Sequence, residues 1–304
     1  MSLDRASDAA RSGALLVRES AREVLVVTGP DRASWLNGVV TCDVTKVCPG
    51  EAAFGLLLSK LGKLQTDFYA VASDNELLLA CAPGTSATAL SDLERMLVME
   101  DAELGRPAGE LACLALHGPR AAELAGSVSE QAGVVQGSVD RTGVGGAALL
   151  VPQAEVAAVV AVLTQGGAVL ASDDDWLRLR IERQLGAFGP DYGPQDNPHE
   201  AAVERRAISW NKGCYLGQEV VFMQDARGKV KRRLALIVLD GPVPAPGTPV
   251  TIAEGATVGD VTSAAASTLL GRAVALARLK APHFEPGAEV RVAGFSAVVR
   301  GEPV

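Results

Sequence analysis

Lys212-Gly213-Cys214-Tyr215-Leu216-Gly217-Gln218-Glu219 is the stretch on which the reading of this chain turns. One cysteine sits between two glycines, with a lysine two residues ahead of it and a Gln-Glu pair behind. A thiol flanked by small residues is sterically open, and a neighbouring ammonium favours the thiolate, its reactive form. Glycines at two fixed offsets imply a backbone bent tightly against a neighbour. The other cysteines read differently. Cys81 and Cys113 lie in apolar runs (LLLACA, ELACLAL), and Cys42 and Cys48 flank a short Thr/Val/Lys segment. All four are expected to behave as small buried hydrophobes. Cys214 is left as the thiol with a chemical role.

The residues on either side supply two further candidates. Downstream, Lys229, Lys231, Arg232 and Arg233 form the densest basic run in a chain of net charge −8. Their spacing fits a charged entry to a strand or a local seat for an anionic tail. The acidic balance argues against nucleic acid or an anionic membrane surface as partner. Upstream, Glu182 falls on a helix expected over Ser172–Leu185, opened by Ser172 and three aspartates that suit its positive end. Spacing alone makes Glu182 an exposed i,i+4 partner of Arg178.

Working outward, short strand-like runs alternate with helical ones. Glu23–Val27, Ala53–Ser59, Leu64–Ala72 and Glu76–Ala82 read as strands, and Lys60-Leu61-Gly62-Lys63 as a hairpin turn. Arg32–Val39, capped by Asp31, and Thr85–Met99, with Leu90, Leu93, Leu97 and Val98 on one face, read as helices. A second pass follows: strand Leu111–Leu116, helix Pro119–Leu124, strand Ala147–Val151 and helix Gln153–Leu163. No internal repeat shows in the residues themselves. From Arg233 onward six short apolar runs are split by Gly and Pro, the pattern of a small β-barrel. The fold class is therefore α+β, helices laid on largely antiparallel sheets. Residues 1–228 form one α+β region, expected to hold two intertwined subdomains, and residues 229–304 a barrel domain.

Several chemistries are disfavoured. Five cysteines lack paired spacing, so a disulfide framework is not expected. No CxxC or close Cys/His pair supports a resident metal or cluster, and no metal ligands are assigned. The three histidines sit apart from any telling serine or carboxylate. Neither a phosphate-cradling loop nor a dinucleotide glycine pattern is present. The first residues lack the basic start and apolar run of a secretory signal, and no run of about 18 apolar residues spans a membrane. A reducing cytoplasm is the expected compartment.

The octapeptide resembles the signature of the YgfZ-type folate-binding proteins, relatives of the glycine-cleavage T-protein (aminomethyltransferase) that support iron–sulfur enzymes. The likeness extends to Trp35-Leu36-Asn37-Gly38, Thr41-Cys42-Asp43-Val44, Gly50 and Gly62-Lys63. It continues through Arg180-Ile181-Glu182, Gly186, Gly189, Pro198 and Glu200, then Ile208, Arg227-Gly228-Lys229-Val230 and the β-rich end. The resemblance implies a T-protein-like fold around a folate pocket, with tetrahydrofolate or a derivative as cofactor. Glu182 would pair its two carboxylate oxygens with adjacent N–H donors of the pterin edge. Cys214 matches the functional thiol, and Lys212, Gly213, Tyr215, Gly217, Gln218 and Glu219 would shape the pocket beside it. The implied function is an accessory role in iron–sulfur cluster assembly or repair, with iron–sulfur client or assembly proteins as partners. The alternative is a folate-dependent aminomethyl or one-carbon transferase. Aminomethyltransferases place an acidic pair where Gln65-Thr66 stand; Asp67 is one position off, on the opposite face of its strand.

Overall fold

A computed structural model describes residues 4–228 and 230–304, and the chain divides into two compact units. The larger comprises Asp8–Ala171 and Arg205–Gln218; the smaller comprises residues 4–7, Ser172–Glu204 and Glu219–Val304.

The larger unit is organised on one ten-stranded sheet. Helix α1 (Arg5–Ser12) leads into β1 (Leu15–Arg18) and β2 (Glu23–Thr28). After α2 (Arg32–Asn37) comes the meander β3 (Gly50–Leu58), β4 (Leu64–Ala72) and β5 (Leu77–Cys81). Then follow α3 (Ser86–Glu94), β6 (Glu103–Gly105), β7 (Leu111–His117), α4 (Ala121–Gly126), β8 (Val135–Ser138), β9 (Gly146–Pro152), α5 (Val156–Gln165) and β10 (Val169–Leu170). The strand order is β10-β1-β7-β9-β8-β3-β4-β5-β2-β6. Pairing is antiparallel except at β1/β10 and at the central β3/β8 junction. A Cβ on Gly137 would lie 2.4 Å from the Glu51 carbonyl oxygen, so that junction closes only on a glycine.

This sheet contains a structural duplication that the residues hide. The order β6-β2-β5-β4 on one side is repeated as β1-β7-β9-β8 on the other. After β2 and after β7 the chain turns through a Gly-Pro pair, Gly29-Pro30 and Gly118-Pro119, with φ of 93° and 135° at the glycines. The Asp31 N–H donates to the Asp101 carbonyl at 3.0 Å, and the Arg120 N–H donates to the Gly13 carbonyl at 3.0 Å. Each acceptor lies two residues before the outermost strand of its repeat, β6 or β1. A Cβ on either glycine would strike the same carbonyls, at 2.4 and 2.5 Å. The repeat is carried by backbone hydrogen bonds, which constrain side chains little beyond the Gly-Pro pair.

Each half covers its sheet face with its own helices. Leu25, Leu36, Phe68, Leu79 and Leu93 form one core; Leu16, Leu114, Leu149 and Leu163 form the other. Full burial of each such leucine contributes about 1.5–3 kcal/mol. The helix expected over Thr85–Met99 ends at Glu94. The Val98 and Met99 N–H groups donate to the Glu100 carboxylate, and Trp35 Nε1 donates to the Met96 carbonyl at 3.1 Å. These bonds replace the i→i−4 ladder. Val98 consequently lies exposed, not on the buried face. Pro119 stands two residues ahead of α4, within the turn, instead of opening the helix.

In the smaller unit, α6 (Asp173–Glu182) carries a complete capping box. Ser172 Oγ accepts from Asp175 N, and the Asp175 carboxylate accepts from Ser172 N. The helix stops three residues short of Leu185 because Gln184 turns to φ 54°. Two helices, α7 (Glu204–Ala207) and α8 (Gln218–Arg227), border the chain segment around the octapeptide. Six strands then close an antiparallel barrel: β11 (Arg232–Leu239), β12 (Pro249–Thr251), β13 (Thr257–Ser267), β14 (Arg272–Lys280), β15 (Glu289–Val292) and β16 (Phe295–Arg300). Every one of the six apolar runs supplies a strand. Ile237, Val250, Val261, Leu279 and Val299 fill the interior. An irregularity between Val261 and Ser263 turns the hydroxyls of Thr262 and Ser263 onto Asp191 Oδ1, at 2.6 and 2.7 Å. Asp191 Oδ2 accepts from Arg180 at 2.5 Å and from Ala187 N at 2.8 Å, saturating this buried carboxylate.

Candidate functional site

The octapeptide forms an irregular loop of the larger unit that runs into α8. Its start is fixed by Lys212, whose Nζ donates to the carbonyls of Asn37, Val40 and Cys42, each at 2.7 Å. These carbonyls lie at and just beyond the C-terminal end of α2, where backbone acceptors otherwise lack partners. The ammonium therefore works on backbone oxygens, with all its N–H donors used. The expectation that it serves the Cys214 thiolate is corrected accordingly. Burial draws the Lys212 pKa downward, against the pull of Cys42 and Asp43.

The far end of the loop is fixed by shape. Gly217 has φ 80°, and a Cβ there would lie 2.7 Å from the Ser59 carbonyl. Gly217→Ala is expected to cost about 1–3 kcal/mol through that contact and the left-handed backbone, read as a fall in thermal midpoint. Gly213→Ala, with no atom within 4 Å of the added Cβ, should stay within about 0.5 kcal/mol. Equal losses in the two variants would remove this account of the loop.

Between these ends Gly213 and Cys214 are exposed. Cys42, Cys81 and Cys113 are buried, and burial pushes the first two thiols up to about 12 and the third further. They remain thiols at neutral pH. Cys48 departs from the expectation of burial and is exposed. Tyr215 points inward: its ring lies 5.6 Å from Lys212 Nζ, and its hydroxyl is buried with no hydrogen-bond partner among the described residues. Burial lifts that phenol to about 12. Gln218 and Glu219 begin α8, the first partly buried and the second exposed.

In the smaller unit Glu182 is 1% exposed. Its Oε1 accepts from Ser267 Oγ at 2.6 Å, while Oε2 has no hydrogen bond among the described residues. Desolvation raises its pKa against that bond and the charges of Arg178 and Arg183. The exposed pairing with Arg178 does not form; Arg178 binds Asp4 and Asp175. The basic run is also spent within this unit. Arg232 pairs with Asp196 at 2.8 Å and Glu200 at 3.5 Å, and Arg233 with Glu204 at 2.8 Å. Lys229 lies outside the described residues. The reading of this run as a seat for an anionic tail is corrected for both arginines, because their guanidiniums already hold carboxylates. His199 Nε2 lies 3.4 Å from Asp225, a pair 26 residues apart that spacing did not suggest.

A charged cluster lies inside the larger unit. Arg22 pairs with Glu19 and, at 2.8 Å, with Asp67. Arg141 donates to the Tyr69 hydroxyl at 2.8 Å, lies 3.8 Å from Glu19 and stacks 4.0 Å from the Phe54 ring centre. All four charged residues are buried or nearly so. Asp67 is thus held by an internal cation. No group of three or more His, Cys, Asp or Glu converges as a metal site among the described residues.

Comparison with known proteins bears on these sites. Residues 2–153, half of the chain, match the GCVT N-terminal domain, and residues 232–303 match the glycine cleavage T-protein C-terminal barrel domain. The chain belongs to the glycine-cleavage T-protein family. An aminomethyltransferase of Herpetosiphon aurantiacus is 27% identical over 318 residues, covering 97% of this chain and 85% of that protein. An aminomethyltransferase of Listeria monocytogenes is 26% identical over 309 residues, covering 94% and 83%. The crystal structure of the glycine cleavage system aminomethyltransferase T from Bartonella henselae superposes with a TM-score of 0.82, at 19% identity, over 99% of this chain and 89% of that one. That likeness establishes the T-protein fold.

Within this T-protein fold the candidate residues divide by unit. Lys212, Gly213, Cys214, Tyr215, Gly217 and Gln218 belong to the larger; Glu182 and Glu219 belong to the smaller. The Glu19–Arg22–Asp67–Arg141 cluster escaped sequence reasoning because its members are spread over more than a hundred positions. The one local signal was a charged residue, Asp67, inside strand β4.

Proposed function

We propose that this member of the T-protein family binds a tetrahydrofolate and acts, through the exposed thiol of Cys214, as a cytoplasmic accessory protein in iron–sulfur cluster assembly or repair. The observation that carries the reading is the contrast among the cysteines: three are buried with raised pKa, and of the two exposed thiols, Cys48 and Cys214, Cys214 stands within the octapeptide on a loop fixed at both ends. Within the family signature that loop is where a client protein would meet the thiol.

Glu182 fits a pterin head. The buried carboxylate has one oxygen set by Ser267 and one available to accept, and each oxygen can accept more than one N–H. When bound, a tetrahydrofolate would supply the one-carbon carrier chemistry. This chain's own part is to hold the pterin edge at Glu182 and to present the thiol at Cys214. Lys212, Gly213, Tyr215, Gly217, Gln218 and Glu219 shape the loop that carries it. The domain division proposed with this function is a folate-binding region of residues 1–228 and a barrel of residues 229–304. No helix among the described residues is long and apolar enough to cross a membrane.

Folate-dependent aminomethyl or one-carbon transfer is the second reading. The names of the relatives favour it, and more directly than they favour the iron–sulfur role. It requires a carboxylate at the transferred carbon, and the candidate, Asp67, is buried and ion-paired with Arg22. That pairing favours the accessory role.

The test is complementation in cells lacking their own copy, assaying an iron–sulfur enzyme under oxidative stress. Wild type should restore activity. Cys214→Ala should lose it at least tenfold while unfolding at the same temperature. Equal rescue by the variant would remove the thiol from the function. Failure of well-expressed wild type, with aminomethyl transfer that Asp67→Asn abolishes, would establish the second reading.

A further inference from the structure

We infer that Lys212 is a positioning residue: its ammonium, locked onto three carbonyls at and beyond the end of α2, anchors the loop that presents Cys214. The inference deepens the role proposed for that thiol and rests on it. It stands on geometry inside one unit. An ammonium has three N–H donors and no acceptor, and here each meets a backbone carbonyl of Asn37, Val40 or Cys42 at 2.7 Å. Charge-assisted bonds of this kind are about twice as strong as neutral ones.

Neighbouring bonds tie the same two segments together. Thr41 Oγ1 donates to the Ala207 carbonyl at 2.6 Å. Ser209 N donates to the Thr41 carbonyl, and Asp43 N to Ser209 Oγ, both at 3.0 Å. The residues before Cys214 are thus bolted to residues 37–43. Gly217, closed on the Ser59 carbonyl, holds the other side. Cys214 lies in the short span between these two fixed points.

Three donors on a flexible stem match three carbonyls that a planar guanidinium cannot all reach from one point. Arginine is therefore not a substitute for Lys212, although it preserves charge. The lysine does not act on the thiol electrostatically through a free ammonium; it acts by limiting where the thiol can go. A reaction partner arriving from solvent meets a thiol whose position has been decided in advance, which reduces the ordering cost of the encounter.

The experiment reads loop order directly. A methanethiosulfonate spin label is attached to Cys214 in a Cys48→Ser background, the remaining cysteines being buried. With Lys212 present the spectrum should be dominated by an immobilised component. Lys212→Met and Lys212→Arg should shorten the label's correlation time at least threefold, at temperatures where circular dichroism shows both variants folded. In Lys212→Ala, ethylammonium, which carries the same three donors, should restore the immobilised component in a concentration-dependent manner. That arm also decides the matter if Lys212→Met fails to fold, because the protein can be refolded with the amine and the amine then diluted. An unchanged line shape in folded Lys212→Met, or no response to ethylammonium in Lys212→Ala, would overturn the inference. No folate or client is present in this measurement. It therefore stands or falls separately from the complementation by Cys214→Ala, which tests the functional reading itself.

Discussion

Arg22→Met is expected to destabilise the larger unit by about 3–5 kcal/mol, the cost of leaving buried charge unpaired. The guanidinium binds Glu19 and Asp67 together, donates to the Ala80 carbonyl at 3.1 Å and lies 5.0 Å from the Tyr69 ring centre. Methionine fills similar volume, so packing is largely kept while two buried carboxylates lose their cation. Arg141 remains near Glu19 and acts on Asp67 as well, but the 2.8 Å pair between Asp67 and Arg22 is lost. Adding Asp67→Asn to Arg22→Met should therefore recover part of the loss, a coupling that two independent sites would not show. Urea unfolding followed by tryptophan fluorescence measures both variants. A loss under 1 kcal/mol for Arg22→Met would mean that the cluster does not hold the unit together.

The second large effect is acid instability. Burial, opposed by Glu19 and reinforced by Arg141, holds the His117 pKa down at about 4. Burial works to raise Glu19, but Arg22 and Arg141 outweigh it and hold its pKa at about 2. The signs agree. Between the ordinary histidine value near 6.5 and about 4, the unfolded chain takes up a proton on His117 that the folded chain refuses. Between about 4.5 and 2 the same holds for Glu19. In both windows the unfolded state binds more protons, so stability falls as pH falls. Each group contributes roughly 3 kcal/mol at one unit per 1.4 kcal/mol. Urea midpoints should thus decline from pH 6.5 to 4, and His117→Gln should flatten that part of the profile. A flat profile in the unsubstituted protein would refute the assignment.

Both predictions come from residues that no motif marks, and this shows where sequence legibility ends. The C-terminal barrel was legible because each strand is a short apolar run bounded by Gly or Pro, signals that act within a few residues. β4 and the capped start of α6 were legible for the same reason. Local patterns misplaced the end of α3, where Trp35 and Glu100 claim backbone groups that a longer helix would use. Edge strands β6 and β10, of three and two residues, carry too little pattern to read. The duplicated sheet stayed hidden because its repeat lies in backbone hydrogen bonds around two Gly-Pro turns.

By itself, the sequence determined the α+β class, the terminal barrel, the open character of Cys214 and, through a resemblance spread along the chain, the glycine-cleavage T-protein family. Those properties are local or are stored in a motif. Tertiary structure alone decided what the charges do. Lys212, read as a neighbour of the thiol, caps carbonyls some 170 positions away. Arg232 and Arg233 are consumed by carboxylates, and Glu182 turns inward onto Ser267. A charged side chain is long and its partner is chosen by proximity in space, so only the folded chain reveals which groups it meets.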